Sequence, residues 1–449
     1  MGALGGNTSA LSTNPASIGI YRSSELSVTP MLTLGKTFVT PGNGRERESE
    51  RWNFNIGNFG WVGVTNLDNS DAKDKWKKIQ FGVAYNRLND FWNRSLYIQT
   101  VDLPFLGVLE NETNKEDWTP PPAPGTLRRM AYNADLIFYD SISGWFGTDL
   151  TPVRFDDDGN IIQYEDLTQM QSVRTSGAQH EWAISFGGNY GDVLFVGATL
   201  GLPVVRYREI TRFEERDNDN LHEHFTYWEY DEDLQVNGNG VNFKIGAIVR
   251  PADFLRVGFS FQTRTRYNIR ETHDQGVYGV TTYTDKKNRQ VRGTSYEYLI
   301  RTPMRLTGSV GIVIGTKGLI GVEYEYLNYA NMSLVDLESG QYDVDNEFIS
   351  KNYTNGGTIR VGAEYRLDPI KLRGGYNYTM TPYQNNHTAN FSGHTFSAGL
   401  GINMSSTATL DLGYVNTSRK YSRVPYTEMP RNQYHTEGHQ FVMTLGWRF

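Results

Sequence analysis

The chain has 449 residues, a formal net charge of −7, no cysteine and a mean hydropathy of −0.53. The sequence has no run of 18 apolar residues, which excludes transmembrane helices, and the lack of cysteine excludes disulfides and thiolate chemistry. An acidic balance without a basic stripe gives no reason to expect a nucleic-acid partner. The 28 Tyr, 22 Phe and 46 Gly suit a transmembrane β-barrel, whose strands can alternate lipid-facing and lumen-facing residues while the mean hydropathy stays low.

The first 23 residues are rich in Gly, Ser, Asn and Ala and precede the first predicted strand. They begin with Met1–Gly6, which has neither the basic region nor the apolar region of a signal peptide. Given the strands that follow, we expect a processed chain whose signal peptide has been removed. We predict that residues 1–23 fold back into the lumen as a plug, or hatch, and that residues 24–449 form a barrel.

The predicted strands alternate between apolar residues and small, polar or charged residues. Between Leu255 and Gln262, for example, aliphatic or aromatic residues alternate with Arg, Gly, Ser and Gln. This period of two indicates strands with one face toward lipid and the other toward a lumen. The strands are predicted at 24–39, 51–65, 77–87, 179–190, 192–208, 238–250, 253–269, 300–314, 318–329, 356–367, 369–380, 393–404, 407–419 and 437–449. Their number, fourteen, is even, as bacterial single-chain barrels require.

The connections between these strands alternate in length. Those after the even-numbered strands are short, apart from the somewhat longer 66–76. The others are mostly long and polar, and include 88–178, 209–237 and 270–299. This sorting favours short periplasmic turns and long extracellular loops, with both chain termini in the periplasm.

The last strand carries the clearest signal. From Phe441 to Phe449 every odd position is large and apolar, and the strand ends on an aromatic residue. This pattern is typical of a final barrel strand. We therefore assign Phe441, Trp447 and Phe449 to a C-terminal signal for the barrel-assembly machinery.

The long predicted loop 88–178 contains apolar residues that a solvated loop does not need. An apolar run covers 103–109, and Met130–Tyr139 is predicted as a short amphipathic helix. Either these pieces pack on each other as the loop's own core, or they form an external groove for an amphiphile. The candidate ligand contacts are Phe105, Leu106, Val108, Leu109, Leu136 and Phe138.

Charged residues of both signs fall at lumen-facing positions of successive strands. The principal ones are Arg256, Arg305, Glu323, Arg360, Glu364 and Arg373. Because a buried charge must be paired, we expect a salt-bridged network that fills the lumen and holds the plug. One of these arginines could instead bind a ligand carboxylate with its planar fork.

Two acidic segments, Asp217–His224 and Asp156–Asn160, resemble metal sites. The second lacks the alternating spacing and distal Glu of an EF-hand loop, and acidic residues in extracellular loops are ordinary solvating groups. We therefore predict no metal and no cofactor. The eight histidines have no defined catalytic partner in the sequence, and there is no nucleophile elbow or phosphate loop. We predict that the protein is not an enzyme.

The segment Ala3–Ile18 resembles the hatch of the FadL/TodX family of outer-membrane transporters. Family members read roughly Ala-x-Gly-Gly, a small-residue spacer and Asn-Pro-Ala-Gly-Leu. This chain has Ala-Leu-Gly-Gly near its start and the triplet Asn14, Pro15 and Ala16, followed by Ser17 where Gly is usual. The predicted strand number, plug and aromatic C-terminus extend the resemblance over the full length.

The resemblance implies uptake of hydrophobic molecules, typically long-chain fatty acids or aromatic hydrocarbons. In that family the ligand is caught by apolar extracellular loops and passed to a lumen pocket, and a hatch movement releases it, often sideways where a strand is kinked. FadL uses loops further along the chain, so the long early loop 88–178 is a departure. Asn14 and Pro15 are expected to form the hatch turn, since Pro fixes φ and Asn tolerates tight turns.

We therefore predict an all-β, 14-stranded antiparallel transmembrane barrel of the bacterial outer membrane, surrounded by outer-membrane lipid, that takes up fatty-acid-like molecules. The alternative is a structural or secretion-associated barrel that binds another protein, as PorV-like members of the family do, without transporting small molecules. A porin-like channel for polar solutes would need an open lumen, which the predicted plug argues against. A bound elongated ligand would favour transport, and a co-purifying partner chain would favour the alternative.

Overall fold

The computed structural model consists mainly of β-strands. It describes residues 5–67, 75–115, 121–122, 126–156, 161–281, 285–288, 294–336, 342–384, 391–426 and 429–449. The first strands are β1 (Glu25–Thr40), β2 (Arg47–Asn66), β3 (Trp76–Asp90), β4 (Asn93–Val101), β5 (Phe138–Asp140), β6 (Trp145–Gly147), β7 (Pro152–Phe155), β8 (Ile161–Tyr164), β9 (Leu167–Tyr190), β10 (Leu194–Arg216) and β11 (Phe225–Ala252). The later strands are β12 (Leu255–Gln262), β13 (Arg266–Thr281), β14 (Asp285–Asn288), β15 (Thr294–Arg301), β16 (Arg305–Ile314), β17 (Gly318–Asn328), β18 (Ser333–Val335), β19 (Asn355–Leu367), β20 (Ile370–Thr379), β21 (Gly393–Asn403), β22 (Ala408–Arg423) and β23 (Asn432–Arg448).

The described helices are short and are not part of the barrel wall. The α-helices are α1 (Phe105–Lys115), α2 (Leu127–Asn133) and α3 (Asp343–Asn352), and the 3-10 helices are Thr8–Ser12, Pro15–Ile20 and Tyr329–Asn331. None of the helices in the described part of the chain has the length and hydropathy that crossing a membrane requires.

Fourteen antiparallel wall strands close into a barrel, which confirms the predicted fold class. The last strand, β23, pairs with β1 from Arg448 opposite Glu25 to Gln433 opposite Thr40. Three wall strands are divided, because β4 continues β3, β13 continues β12 and β16 continues β15. The order around the wall is β1, β2, β3/β4, β9, β10, β11, β12/β13, β15/β16, β17, β19, β20, β21, β22 and β23.

The outer face of this wall is apolar and the inner face is polar. Along β11, Val241, Phe243 and Ile245 are exposed, whereas Asn242 and Lys244 between them are buried. A lipid-facing surface requires this inverted burial. The same exposed apolar band, here called the apolar belt, includes Trp182, Phe186, Val257, Phe259, Val310, Ile312, Val322, Tyr324, Val361, Leu372, Phe396, Leu412, Phe441 and Trp447.

The two ends of the barrel differ. The backbone N–H of Phe449 donates to the carbonyl of Ser24, so both ends of the wall meet at one rim, here called the terminal end. The short connections 191–193, 253–254 and 315–317 turn at this same end. The opposite rim, the loop end, carries the long hairpins and the segment 102–166.

Parts of several segments that were predicted as loops form β-strands in the structure. Loop 88–178 shrinks to 102–166 and loop 209–237 shrinks to 217–224, because β9, β10 and β11 run far beyond the apolar belt. In water both faces of a strand can be polar, so apolar alternation disappears while the backbone hydrogen bonds of the ladder continue. Alternation therefore located the membrane-crossing parts of the strands rather than their ends.

Two predicted single strands, 253–269 and 300–314, are each interrupted once. The breaks at 263–265 and 302–304 lie side by side and form what we call the wall bulge. Pro303 cannot donate a backbone hydrogen bond, which disfavours a continuous ladder at this point. The Thr302 N–H instead donates to the Thr265 carbonyl at 3.0 Å, which keeps the two strands joined.

Candidate functional site

The N-terminal segment lies inside the barrel near its terminal end, and we call its residues 7–20 the plug. The Asn14 side chain accepts a hydrogen bond of 3.0 Å from the Ala16 N–H, and Pro15 occupies the first position of the 3-10 helix that follows. Side-chain capping by Asn and a Pro at the first turn are standard features of helix starts. The predicted hatch triplet is therefore a fully buried turn.

Neutral hydrogen bonds connect the plug to the barrel wall. Thr8 donates its hydroxyl to the side-chain oxygen of Asn58 at 2.8 Å, and the Ser260 hydroxyl donates to the Thr13 carbonyl at 2.8 Å. The helix Pro15–Ile20 packs against β9, β10 and β11. The plug thus lies against one side of the wall.

Two wall glycines allow this close approach. A Cβ atom on Gly197 would lie 2.3 Å from the carbonyl oxygen of Pro15, and one on Gly246 would lie 2.1 Å from the side-chain oxygen of Asn14. Neither space admits a methyl group. The backbone of the plug turn therefore contacts the backbone of β10 and β11 directly.

The predicted lumen charges form ion pairs on the part of the wall that begins at β16. Arg360 donates to Glu323 at 2.8 Å, and another nitrogen of the same guanidinium lies 3.5 Å from Glu325. Arg305 lies 3.9 Å from Glu325. These four residues connect β16, β17 and β19.

A second group of ion pairs follows on the next strands. Arg373 donates to Glu364 at 2.8 Å and also pairs with Asp411, while Arg256 lies on β12 outside both groups. In the described part of the chain, the ion pairs of these groups join wall strands to each other and include no plug residue. The sequence analysis predicted that this network holds the plug. In the structure, neutral hydrogen bonds connect the plug to the wall instead.

A buried ion pair on the plug side of the wall was not predicted from the sequence. Lys244 on β11 donates to Glu181 on β9 at 2.5 Å, and both side chains are 2 % exposed. Asn242 also donates to Glu181, at 3.2 Å. In the sequence, Lys244 lies between the apolar residues Phe243 and Ile245, which face lipid. This alternation is the signal that could have placed Lys244 in the lumen.

The described residues of the segment 102–166 fold over the loop end, and we call this segment the cap. Its apolar side chains form a core with residues of the long hairpins, including Trp228, Phe213 and Val277. Helix α2 ends at Asn133, because the chain turns at Asp135 with φ of 56°, so the predicted helix 130–139 is shorter and begins earlier. The candidate ligand contacts are distributed as follows: Leu106, Val108, Leu109 and Leu136 are buried, Phe105 is partly buried, and Phe138 is 42 % exposed.

A buried carboxylate anchors the cap. Glu215 at the end of β10 accepts hydrogen bonds from the N–H groups of Phe105 (2.6 Å) and Leu106 (3.3 Å), the first residues of α1. It also accepts from Trp228 (2.7 Å) and Gln169 (2.9 Å). A carboxylate at a helix N-terminus satisfies free N–H groups and the helix dipole together. Burial nevertheless raises the pKa of Glu215.

The cap also reaches the far side of the barrel. Tyr426, in the connection between β22 and β23, donates its hydroxyl to the Leu103 carbonyl at 2.8 Å and stacks near Phe105, with ring centroids 4.8 Å apart. Because β22 and β10 lie on different sides of the barrel, this contact spans the loop end. The cap therefore covers the loop end of the lumen.

A carboxylate of the cap itself, Glu110, is also buried, and none of the described residues forms an ion pair with it. Glu110 accepts hydrogen bonds from the hydroxyls of Thr148 (2.8 Å) and Tyr164 (2.9 Å). Burial raises the pKa of Glu110 from 4.5 to about 7, although both hydrogen bonds oppose this shift. No pattern in the sequence predicts this buried carboxylate.

The backbone ladder between the described wall strands β2 and β3/β4 is incomplete, and we call this gap the wall interruption. The β2–β3 ladder ends at Asn58 opposite Asn86, and beyond this point β2 pairs with β1 while β3 and β4 pair with β9. On β2 the outward residues Phe54 and Trp52 are 69 % and 51 % exposed, so the interruption lies at the level of the apolar belt.

Polar side chains bridge this wall interruption on its inner side. Asn53 and Asn55 donate to the Asp90 carboxylate at 2.9 and 3.4 Å. The Arg51 guanidinium lies 3.9 Å from the centre of the Trp92 ring and donates to a carbonyl of β9. Side chains therefore replace the backbone ladder that is missing here.

The acidic segment Asp217–His224 forms a turn. The Asp217 carboxylate accepts from the N–H groups of Asp219, Leu221 and His222, at 3.2, 3.1 and 2.7 Å. The described residues contain no group of three metal-ligating side chains, while 157–160 of the other acidic segment lie outside the described residues.

Comparisons with known proteins agree with this architecture. A family model described as outer membrane protein transport protein (OMPP1/FadL/TodX) matches residues 226–449. A FadL homologue of Pseudomonas aeruginosa is similar in structure, with a TM-score of 0.56 and 11 % identity, covering 100 % of this chain and 95 % of that one. The toluene transporter TodX of P. putida gives a TM-score of 0.56 and 11 % identity, covering 99 % and 94 %. At this identity the structures show a shared fold. No curated protein matches the sequence.

Proposed function

Because this chain belongs to the OMPP1/FadL/TodX family of outer membrane transport proteins, we propose that it takes up hydrophobic or amphiphilic molecules of the long-chain fatty-acid class. The loop end faces the outside of the cell and both termini face the periplasm. The ligand is captured at the cap, binds in the lumen, and leaves when the plug shifts. The molecule crosses by diffusion, and no covalent bond is made or broken.

The wall interruption carries this proposal. A missing ladder at membrane level leaves backbone groups that lipid cannot satisfy, so it persists only where other groups line it. Asn53, Asn55 and Asp90 supply such groups on the lumen side, while Phe54 faces lipid. An apolar molecule in the lumen therefore has a route into the membrane that does not require crossing the periplasmic rim.

The plug contacts support movement of the plug. The hydrogen bonds of Thr8 and Thr13 are neutral, and a neutral hydrogen bond contributes only about 0.5–1.5 kcal/mol net. Moving the plug therefore breaks no ion pair. A plug inside the barrel also argues against a porin-like passage for polar solutes.

A cysteine staple across the wall interruption tests the route. The chain has no cysteine, so Asn53→Cys with Asp90→Cys gives a single pair that oxidation or a short bismaleimide can join. Uptake of a fluorescent long-chain fatty acid into proteoliposomes is expected to stop on crosslinking and, for the disulfide, to recover on reduction. Thr358→Cys with Thr379→Cys, facing each other across the intact β19–β20 ladder, is the matched control.

Unchanged uptake by the crosslinked protein would overturn the sideways route. If a crosslink from the plug to β10 then stopped uptake, the ligand would leave past the plug and transport itself would stand. If neither crosslink mattered and no fatty acid bound, the transport proposal would fail.

A barrel that binds a partner protein is the second candidate, and one observation favours it. The cap hairpins expose large apolar side chains, with Ile142 95 %, Trp145 56 % and Phe155 54 % exposed. Such a patch suits either ligand capture, together with Phe138, or a protein interface. Ile142→Ser with Trp145→Ser separates the two, because slower uptake by a folded barrel indicates capture and unchanged uptake favours the partner.

The C-terminal residues Phe441, Trp447 and Phe449 are proposed to guide barrel assembly. All three side chains are exposed on the outer face, and Phe449 is 72 % exposed. Removal of Phe449 is expected to lower the folded fraction in the outer membrane, while the purified chain still refolds in detergent. Normal amounts of folded barrel in cells would contradict this role.

A further inference from the structure

The outer surface of the barrel changes character at the wall bulge. On β12 the outward residues Val257 and Phe259 are apolar and belong to the apolar belt, whereas beyond the bulge the exposed positions of β13 are Arg266, Asn268 and Arg270. The bulge therefore marks the height at which the barrel leaves the hydrocarbon on the loop-end side. Lipid headgroups lie at this height.

Three arginines meet at this boundary. Arg264, Arg266 and Arg301 line one open cavity of about 440 Å³, together with exposed apolar residues of β10 and β11. The apolar part of the lining includes Leu200 and Phe243, which are 41 % and 46 % exposed. The cavity is thus basic on one side and continuous with the apolar belt on the other.

These arginines have no acidic partner among the described residues. Arg266 and Arg301 stand directly opposite each other on β13 and β15, an arrangement in which like charges repel. The Nε atom of Arg301 is buried and has no hydrogen-bond partner in the described part of the chain. Four residues further along the same face, Arg270 pairs with Glu297 at 2.6 Å, so an acidic residue compensates the arginine there but none of the described residues does so at Arg266 and Arg301.

We propose that this cavity binds the phosphate-bearing headgroup of a lipid in the leaflet at the loop end. The guanidinium forks of Arg266 and Arg301 hold the phosphate, for which Arg is well suited because it donates two parallel hydrogen bonds. Acyl chains of the same lipid lie over Leu200, Val241 and Phe243. A bound anion removes the repulsion between the two opposed arginines, and the apolar lining selects a lipid over a free anion.

Native mass spectrometry of the purified barrel in a short-chain detergent tests the site. The probes are lipid A, which is a diphosphorylated acylated disaccharide, its dephosphorylated form, and inorganic phosphate. The wild-type protein is expected to bind the diphosphorylated form at least about tenfold more tightly than the dephosphorylated one, because only the first form gives the guanidinium groups an anion to hold. Arg266→Gln with Arg301→Gln is expected to abolish this preference.

Matched variants keep the test decisive. Arg270→Gln removes a paired arginine from the same strand and face, and is expected to leave the preference unchanged. Arg266→Lys with Arg301→Lys keeps the charge without the fork and is expected to retain part of the preference. The heat-dependent mobility of the folded barrel is checked for every variant.

Three results would overturn the proposal. One is equal affinity for the two lipid forms, and another is a phosphate preference that survives in the double glutamine variant. The third is binding of inorganic phosphate as tight as that of lipid A, because it would make the cavity a site for a free anion rather than a lipid.

Discussion

The two segments that lie at opposite ends of the lumen, the cap and the plug, are built in different ways. The cap shares a core of 17 buried residues with the long hairpins and is anchored by the buried Glu215. The plug contributes only a few side chains to two small clusters, such as Leu11 and Ile18 in one and Ala16 in the other. The cap is a folded unit, whereas the plug is a peptide bound to the wall.

This difference separates a fixed closure from a movable one. Releasing the cap exposes a large apolar core and leaves buried carboxylate contacts unmade, which is costly. Releasing the plug exposes little apolar surface and breaks neutral hydrogen bonds. We therefore expect the plug to move during transport while the cap stays folded, and the following variants are ordered from the largest expected effect to the smallest.

Glu215→Ala is expected to detach the cap. The substitution leaves the Phe105 N–H and the Trp228 indole N–H buried without an acceptor, at a cost of at least about 3 kcal/mol to the cap's free energy of unfolding. Limited proteolysis should then cleave within 102–166. Glu214→Ala, which removes an ion pair with Arg216, is the control and should leave the cap resistant.

The stability of the cap is expected to depend on pH through Glu110. Its pKa rises from 4.5 in the unfolded chain to about 7 in the folded cap, so the folded state binds the proton more tightly. The cap's free energy of unfolding is therefore highest below pH 4.5, falls as the pH rises toward 7, and is constant above. Protease protection measured from pH 4 to 8 should show this decline.

The variant Glu110→Gln tests whether Glu110 is the group that makes the stability of the cap depend on pH. The amide cannot ionise, so the decline of the cap's free energy of unfolding between pH 4.5 and 7 should become smaller by the share of Glu110, while Thr148 and Tyr164 keep a hydrogen-bonding partner. The part that remains belongs to Glu215, whose pKa burial also raises. An unchanged pH profile in this variant would assign the titration to another group.

Gly197→Val is expected to displace the plug without unfolding the barrel. The new side chain would overlap the Pro15 carbonyl, and overpacking of this kind costs about 1–3 kcal/mol. Single-channel conductance in planar bilayers should rise as the lumen opens. Gly399→Val is the control, because a Cβ at that position has its nearest neighbour at 3.4 Å. Equal conductance of both variants would contradict the close packing of the plug turn.

Asn14→Ala is expected to have the smallest effect. It removes one helix cap, which contributes about 0.5–2 kcal/mol, and leaves the Ala16 N–H without its acceptor. Fatty-acid uptake should change through altered release of the plug, and the same change combined with Pro15→Ala should be larger. Asn7→Ala, which removes the exposed cap of the first 3-10 helix, is the matched control. Uptake rates equal to wild type in all three would argue against the hatch role.

The sequence predicted the barrel well because lipid imposes a simple pattern. Every second residue of a membrane-crossing strand must be apolar, so pairs such as Phe243 and Ile245 reveal both the strand and its outer face. Beyond the membrane this constraint ends, and the extension of β10 to Arg216 could not be read from alternation. The same reasoning placed Arg360 and Glu323 in the lumen, but their pairing needed the register of the sheet.

The cap and the plug were recognised only in outline. The apolar run 103–109 predicted packing or a groove with equal support, and only the tertiary contacts of Leu106 and Leu109 show that they lie in a core. Glu215 accepts a hydrogen bond from Phe105 of α1 although the two residues are 110 positions apart in the chain, and no local pattern connects them.

The sequence by itself determined the number of wall strands and their inner and outer faces. It also predicted a plug segment and the side of the membrane on which the chain termini lie. These features follow from local periodicity and from the order of short and long connections. Only the tertiary structure decided the wall interruption at Asn58, the buried pair of Lys244 and Glu181, and the opposed Arg266 and Arg301. Each of these depends on which residues of different strands face each other, and one residue of register shift would change all such pairs.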